Sequence, residues 1–288
     1  MPELPEVETI KRGLAKAIIG KEISDFTCDW HKALNRPLRS YKKILCGLKI
    51  KTISRRAKTL ILTLSNDWRI MVHLKMTGQL VFQDKNRCLI GGHPIEKSCE
   101  NLPNKFTHVI FKFSDGSHLY FNDIRKFGWV RLYTKEELEA VLTRMNLGPE
   151  PLGKDFTLKA LRQAMARRPK SKVKQFIMAP ENVAGVGNIY SDEVCYYAKV
   201  RPDRLVNTLK RKDVKKIHDG IIKILNAAIK AQGTTFSNYV NAAGEAGAYV
   251  RKLKVYQRYG QKCYTCHGEI KRQRLGGRTS SFCPGCQK

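Results

Sequence analysis

The residue pair best suited to covalent chemistry stands at the start of the chain, where removal of Met1 would expose the ring nitrogen of Pro2 as a secondary amine beside the carboxyl group of Glu3. An α-amino group has a pKa of about 8, so part of it is unprotonated at neutral pH and able to attack an electrophilic sugar or carbonyl carbon, giving an iminium. Glu3 is placed to move protons beside that amine. Met-Pro starts also occur where a small second residue merely permits trimming, so the pair takes its meaning from the rest of the chain. A second constellation lies at the other end. Cys263-x2-Cys266 and Cys283-x2-Cys286, separated by sixteen residues, have the spacing of a tetrahedral zinc ribbon. Four thiolates leave no open coordination position, so one structural zinc ion is expected, with an iron centre or four reduced thiols as the alternatives.

These groups sit in a strongly basic chain of 288 residues, with 54 Lys and Arg against 25 Asp and Glu and a formal charge of +29. Such an excess calls for a polyanionic partner. Part of it lies in the terminal ribbon, where residues 251–288 hold ten Lys or Arg and one acid, Glu269. No stretch approaches the unbroken apolar length of a membrane span, and the start is acidic and proline-bearing, so a soluble cytoplasmic protein is expected. Outside the quartet stand Cys28, Cys46, Cys88, Cys99 and Cys195, an odd number that argues against a secreted disulfide framework. They are expected to be reduced.

The elements that must position these groups can be read from periodicity. Val7, Ile10, Leu14 and Ile18 recur at helical spacing, which places Pro2 just ahead of a helix amino terminus, where anions are favoured. Short apolar runs follow at Thr59 to Leu64, Arg69 to Leu74, Gln79 to Phe82, Thr107 to Phe113 and His118 to Phe121, the last two joined by Ser114-Asp115-Gly116 as a hairpin. Residues 84–105 read as a long loop. The Leu147-Gly148-Pro149-Glu150-Pro151-Leu152-Gly153 stretch breaks both helix and strand, and helices are predicted beyond it at Thr157 to Arg167, Ser171 to Met178, Asn188 to Ala198 and Lys210 to Gln232. The fold class is therefore α+β: an N-terminal antiparallel β-sandwich with flanking helices over 1–135, a linker over 136–153, a helical domain over 154–250 and a four-cysteine ribbon over 251–288.

Six motifs occur in one order: Pro2-Glu3-Leu4-Pro5-Glu6-Val7-Glu8-Thr9, His73-Leu74-Lys75-Met76-Thr77-Gly78, Asp123-Ile124-Arg125-Lys126-Phe127-Gly128, Gly148-Pro149-Glu150-Pro151-Leu152, Ala184-Gly185-Val186-Gly187-Asn188-Ile189-Tyr190-Ser191-Asp192-Glu193, and the ribbon. Through nearly its whole length the chain resembles the bacterial formamidopyrimidine-DNA glycosylases. The resemblance implies a bifunctional enzyme that excises oxidised purines, chiefly 8-oxoguanine and formamidopyrimidines, and then cuts the strand at the abasic site. Its partner would be double-stranded DNA carrying oxidised bases or abasic sites, and nothing suggests more than a monomer. No redox cofactor is implied.

Carried over motif by motif, the resemblance makes Pro2 the nucleophile at the anomeric carbon and Glu3 the proton donor to the opening sugar ring. Lys58 engages the phosphate beside the lesion. His73, Asn188 and Arg278 grip further phosphates, contacts that position DNA but read no sequence. A base must leave the stack before its sugar can be attacked, at a cost of a few kcal/mol. The resemblance assigns the vacated space to Phe127, wedging a base step, to Met76, filling the stack, and to Arg125, bonding the orphaned base. The stretch 154–250 would contain the helix-two-turns-helix element, and 234–249 would close over the flipped base, with Thr234 and Tyr239 as possible contacts.

The chain departs from the family pattern in three places. Lys75 replaces the usual glycine of the His-Leu-Gly-Met turn, Met178-Ala179-Pro180-Glu181 replaces Leu-Leu-Asp-Gln, and the 84–105 segment is long. Two rivals stand beside the purine enzyme. One is the endonuclease VIII type, which acts on oxidised pyrimidines and typically begins Pro-Glu-Gly-Pro; Leu4 and Phe127 argue against it. The other is a noncatalytic zinc-ribbon reader of damaged DNA, in which Pro2 would be dispensable.

Overall fold

The computed structural model describes residues 1–93, 95, 99–234 and 248–288. The chain divides into two compact units, Met1–Met145 with Ala231–Val250, and Asn146–Lys230 with Arg251–Lys288.

The first unit opens with helix α1 (Leu4–Ile18), whose first turn tolerates Pro5 because the amide of that position needs no helical partner. The Glu6 carboxylate accepts a hydrogen bond of 2.9 Å from the Glu3 amide and closes the helix start. Val7, Ile10, Leu14 and Ile18 are buried along one face, as the period predicts. Each such side chain contributes about 1.5–3 kcal/mol by leaving water. Beneath the helix lie two antiparallel sheets. One has the strand order β1 (Ile23–Cys28), β7 (Thr107–Phe113), β8 (His118–Asp123), β5 (Gly78–Gln83) and β6 (Cys88–Gly92); the other runs β2 (Ile50–Arg56), β3 (Thr59–Leu64), β4 (Arg69–His73) and β9 (Trp129–Tyr133). Phe26, Phe82, Phe111 and Phe121 of the first sheet share one core with Leu60, Leu62, Ile70, Val72 and Leu132 of the second. Short helices α2 (Leu38–Leu45) and α3 (Lys135–Arg144) flank the sandwich.

Two expectations are corrected here. The 84–105 segment is not all loop: Cys88–Gly92 pairs with Gly78–Gln83 as the edge strand β6. A Cβ on Gly91 would come within 2.6 Å of Ile10, so α1 lies directly on this strand and only glycine admits it there. Nor are all five dispersed cysteines reduced. Cys88 and Cys99 form a disulfide across that segment with Cα atoms 6.1 Å apart, whereas Cys28, Cys46 and Cys195 remain thiols. An odd count leaves room for one pair, and β6 with the returning chain supplies the proximity.

The second unit is mainly helical: α4 (Leu158–Ala166), α5 (Val173–Met178), α6 (Asn188–Ala198) and the long α7 (Arg211–Lys230), followed by the hairpin β10 (Lys271–Leu275) and β11 (Arg278–Phe282). Met178 ends α5, and the turn beyond it, where the chain departs from the family pattern, is well formed. The Gly148 amide donates to the Pro180 carbonyl at 2.9 Å and the Ala184 amide to the Pro149 carbonyl at 3.1 Å. A Cβ on Gly148 would sit 2.6 Å from the Glu181 carbonyl oxygen, which is why glycine opens that motif. No helix among the described residues is long and apolar enough to cross a membrane.

Candidate active site

The chemistry of the first unit is organised around α1. Glu3, 3 % exposed, caps the helix, and Pro2 precedes it partly exposed. Five residues on, Glu8 forms ion pairs with Lys11 at 2.8 Å, Arg12 at 2.9 Å and Arg55 at 3.1 Å. Burial alone would raise the Glu8 carboxyl, but the three cations outweigh it and hold the group below the usual carboxylate range. Arg55 in turn donates to the Ala57 carbonyl at 2.8 Å. Ala57 and Lys58 form the β2–β3 turn, with Ala57 in the left-handed region at φ +51°. A helix that carries Pro2 and Glu3 at its head thus also holds the turn that presents Lys58. Nothing in the local sequence signals the Glu8–Arg55 pair, because its partners are 47 residues apart.

His73 ends β4 and packs against Trp129, ring centroids 5.5 Å apart. Its pKa is pulled down to about 3, first by burial and then by the charges of Lys75 and Lys58. The Lys75 amide donates to His73 Nδ1 at 2.9 Å, so the neutral ring keeps its proton on Nε2. Lys75 makes that bond from a left-handed backbone, φ +51°, the conformation for which the family's glycine is suited. A lysine there costs about 1–2 kcal/mol relative to an unstrained position.

Beyond His73, Met76 is 43 % exposed, and on the loop between β8 and β9 Phe127 is 49 % exposed, with Arg125 exposed between them. The three touch. The Arg125 guanidinium lies over the Phe127 ring, 4.6 Å from its centroid, and Nη1 approaches the Met76 sulfur at 3.5 Å. Two large apolar side chains held in water by a shared cation are unsuited to a core and suited to entering another molecule. Glu6 ties the same helix to the chain's return: Oε1 accepts from the Thr234 amide at 2.9 Å and from its hydroxyl at 3.0 Å. Tyr239 lies outside the described residues.

In the second unit, Gly185 enters α6 with φ +86°, a position that requires glycine, whereas Gly187 caps the helix from an extended backbone open to any residue. Asn188 opens the helix, and its buried Oδ1 has no hydrogen-bond partner among the described residues. An orphaned polar atom at a helix amino terminus is a place for a ligand. Asp192 and Glu193, one turn further on, were not singled out by sequence and are both buried. Burial raises both carboxyl groups, and their partners oppose it. Asp192 pairs with Lys174 at 2.8 Å and accepts from the Ser281 amide at 2.9 Å; Lys174 donates to the Thr279 carbonyl at 3.0 Å. Glu193 accepts from the amides of Lys254, Val255 and Tyr256 at 2.9, 2.9 and 3.0 Å. These bonds fasten the ribbon to α6. The ribbon's tip is a two-residue turn with Gly276 at φ +54° and Gly277 at φ +76°, which leaves Arg278 exposed at the start of β11.

The four sulfur atoms of Cys263, Cys266, Cys283 and Cys286 lie within 4.8 Å of one another, forming a metal site. Cys263 and Cys286 are 3.8 Å apart and Cys266 and Cys283 3.3 Å. A tetrahedron with zinc–sulfur bonds of about 2.3 Å has edges of about 3.8 Å, so the cage has the right size. The Tyr196 hydroxyl from α6 reaches the Cys263 sulfur at 3.3 Å and steadies one ligand.

Comparison with known proteins agrees with this geometry. The model of the formamidopyrimidine-DNA glycosylase N-terminal domain matches residues 1–130 and that of the formamidopyrimidine-DNA glycosylase H2TH domain residues 147–240. The formamidopyrimidine-DNA glycosylase of Streptococcus mutans is 39 % identical over the whole of both chains, and that of Desulfitobacterium hafniense 37 %. Among solved structures, a point mutant of the Lactococcus lactis enzyme bound to Fapy-dG-containing DNA superposes with a TM-score of 0.88 at 34 % identity, covering all of both chains. The Lactococcus lactis enzyme bound to DNA with an abasic site gives 0.88 at 35 % identity over 99 % of each chain. The chain belongs to the formamidopyrimidine-DNA glycosylase family.

Proposed function

We propose that this chain removes oxidised purines from duplex DNA through a Schiff base on Pro2 and then cuts the strand by successive β and δ eliminations. The observation that carries this reading is the placement of Pro2 and Glu3 at the head of α1, in a chain similar along its whole length to an enzyme solved on Fapy-dG and abasic-site DNA. Once Met1 is removed, the Pro2 nitrogen attacks the anomeric carbon, the damaged base leaves, and the sugar ring opens as Glu3 donates a proton. The iminium acidifies the adjacent sugar hydrogen, and both phosphates depart in turn.

Lys58 and His73 hold the phosphates beside the lesion. His73 does so as a neutral Nε2–H donor, with no charge of its own. Met76, Arg125 and Phe127 enter the duplex where the damaged base has left, and Asn188 and Arg278 grip further phosphates from the second unit. The metal held by the four cysteines is zinc, which orders the ribbon and takes no part in bond breaking. The DNA substrate places the protein with the chromosome of a bacterial cell.

The test compares release of 8-oxoguanine and thymine glycol from matched duplexes. Faster release of 8-oxoguanine supports the reading; faster release of thymine glycol assigns the chain to the pyrimidine-specific sister type.

A further inference from the structure

Asp123 is the first residue of a motif whose later members contact DNA in the reading above, and no role is assigned to it there. It is completely buried. Its carboxylate gathers four donors from two separate loops. Oδ2 accepts from the amides of Phe127 at 2.9 Å and Gly128 at 2.7 Å; Oδ1 accepts from the Arg125 amide at 3.1 Å and from the Thr77 hydroxyl. Thr77 follows Met76 on the other loop, and its oxygen also accepts from the Arg125 amide at 3.0 Å. The Asp123 main chain is held as firmly: its carbonyl accepts from His108 Nε2 at 3.1 Å, and His108 Nδ1 lies 2.9 Å from the Asp29 carboxylate.

The surroundings leave the two loops little freedom to move apart. A Cβ on Gly128 would stand 3.0 Å from the His73 carbonyl oxygen and 3.1 Å from Asp123 Oδ2, and one on Gly78 would stand 2.3 Å from the Leu74 carbonyl oxygen. Each loop also carries a lysine in the left-handed region, Lys75 at φ +51° and Lys126 at φ +56°, conformations that persist only when neighbouring bonds hold them. On the outer side the loops meet again through Arg125, which touches both Met76 and Phe127.

We propose that Asp123 and Thr77 are positioning residues that lock the Met76 loop and the Arg125–Phe127 loop into one rigid wedge, so that the three side chains enter the duplex as a single body. This rests on the reading that those three side chains fill the space left by the extruded base. A wedge made in two independent halves would have to order each half against DNA while unstacking a base step. One built around a buried carboxylate is ordered beforehand, and its binding free energy goes to extrusion.

The experiment uses the full-length protein and a duplex carrying 8-oxoguanine, with 2-aminopurine beside the lesion to report unstacking in stopped flow. Four proteins are compared: wild type, Thr77→Val, Phe127→Ala and the double variant. Thr77→Val keeps the side-chain shape and removes only the hydroxyl. It is expected to slow the unstacking phase about tenfold, the ratio carried by one hydrogen bond to a charged acceptor. Cleavage of a preformed abasic site, which has no base to extrude, should fall several-fold less. In the Phe127→Ala background the further loss from Thr77→Val should nearly vanish, because the wedge it orders is already gone. Asp123→Asn, which removes the charge and turns one acceptor oxygen into a donor facing other donors, should slow unstacking at least as much as Thr77→Val. An unchanged unstacking rate in Thr77→Val while Phe127→Ala is slow overturns the proposal and leaves the wedge reading standing. Equal losses on both substrates, or additive effects in the double variant, overturn it as well. A wild-type rate in Phe127→Ala removes the wedge reading itself.

Discussion

His73 gives the sharpest test of the site's electrostatics. Its folded pKa of about 3 lies well below the ordinary histidine value of about 6.5, because burial and the charges of Lys75 and Lys58 disfavour the imidazolium. A depressed pKa means that the native state prefers the neutral ring. The resulting stability is fully present above about pH 6.5 and is lost as pH falls toward about 3. Between about pH 7.5 and pH 5 the two pKa values give a loss of about 2 kcal/mol from this one group. For a unit of this size that is a fall in melting temperature of about 4–8 °C. Thermal or urea unfolding of wild type and His73→Gln at both pH values isolates the term, since the other carboxylates and histidines titrate in both proteins and cancel in the difference. The variant should lose about 2 kcal/mol less on acidification. Equal pH dependence in the two proteins would refute the argument and place His73 in water. Imidazole nitrogen NMR at neutral pH should show the proton on Nε2.

Two further outcomes follow from the second unit. Lys174→Met leaves the Asp192 carboxylate buried without its partner and should cost about 3–5 kcal/mol in chemical denaturation, whereas Lys174→Met with Asp192→Leu should recover most of it; a loss below about 1 kcal/mol in the single variant would contradict the pairing. Elemental analysis of the purified chain should find one zinc ion, and Cys266→Ser should lose it together with most DNA affinity; iron, or a metal content unchanged by the substitution, would overturn the zinc assignment.

What the sequence revealed and what it hid divide along a physical line. Local signals are legible: the helical period of α1, the full extent of α6 from Asn188 to Ala198, and the four-cysteine spacing all depend on residues near one another in the chain. One local signal was overlooked. Thr134 and Glu137 form a reciprocal cap, with bonds of 3.2 and 2.9 Å, that announces α3 inside the stretch 136–153 expected to be linker. The other omissions are non-local. The Cys88–Cys99 bond, the Glu8–Arg55 pair and the meeting of Thr77 with Asp123 join chain segments whose proximity is made by strand pairing, and no window of sequence contains both partners with their geometry. The exposed site residues Met76 and Phe127 stand close to Gly78 and Gly128, and the structure shows why those glycines are needed: a Cβ at either would meet backbone.

The most direct test of the mechanism is borohydride trapping on a duplex carrying 8-oxoguanine opposite cytosine, with mass spectrometry locating the attachment. A covalent adduct is expected on the nitrogen of Pro2 in protein from which Met1 has been removed, and no adduct at that position in protein that retains it. An adduct on a lysine, or tight binding with no adduct, would contradict it.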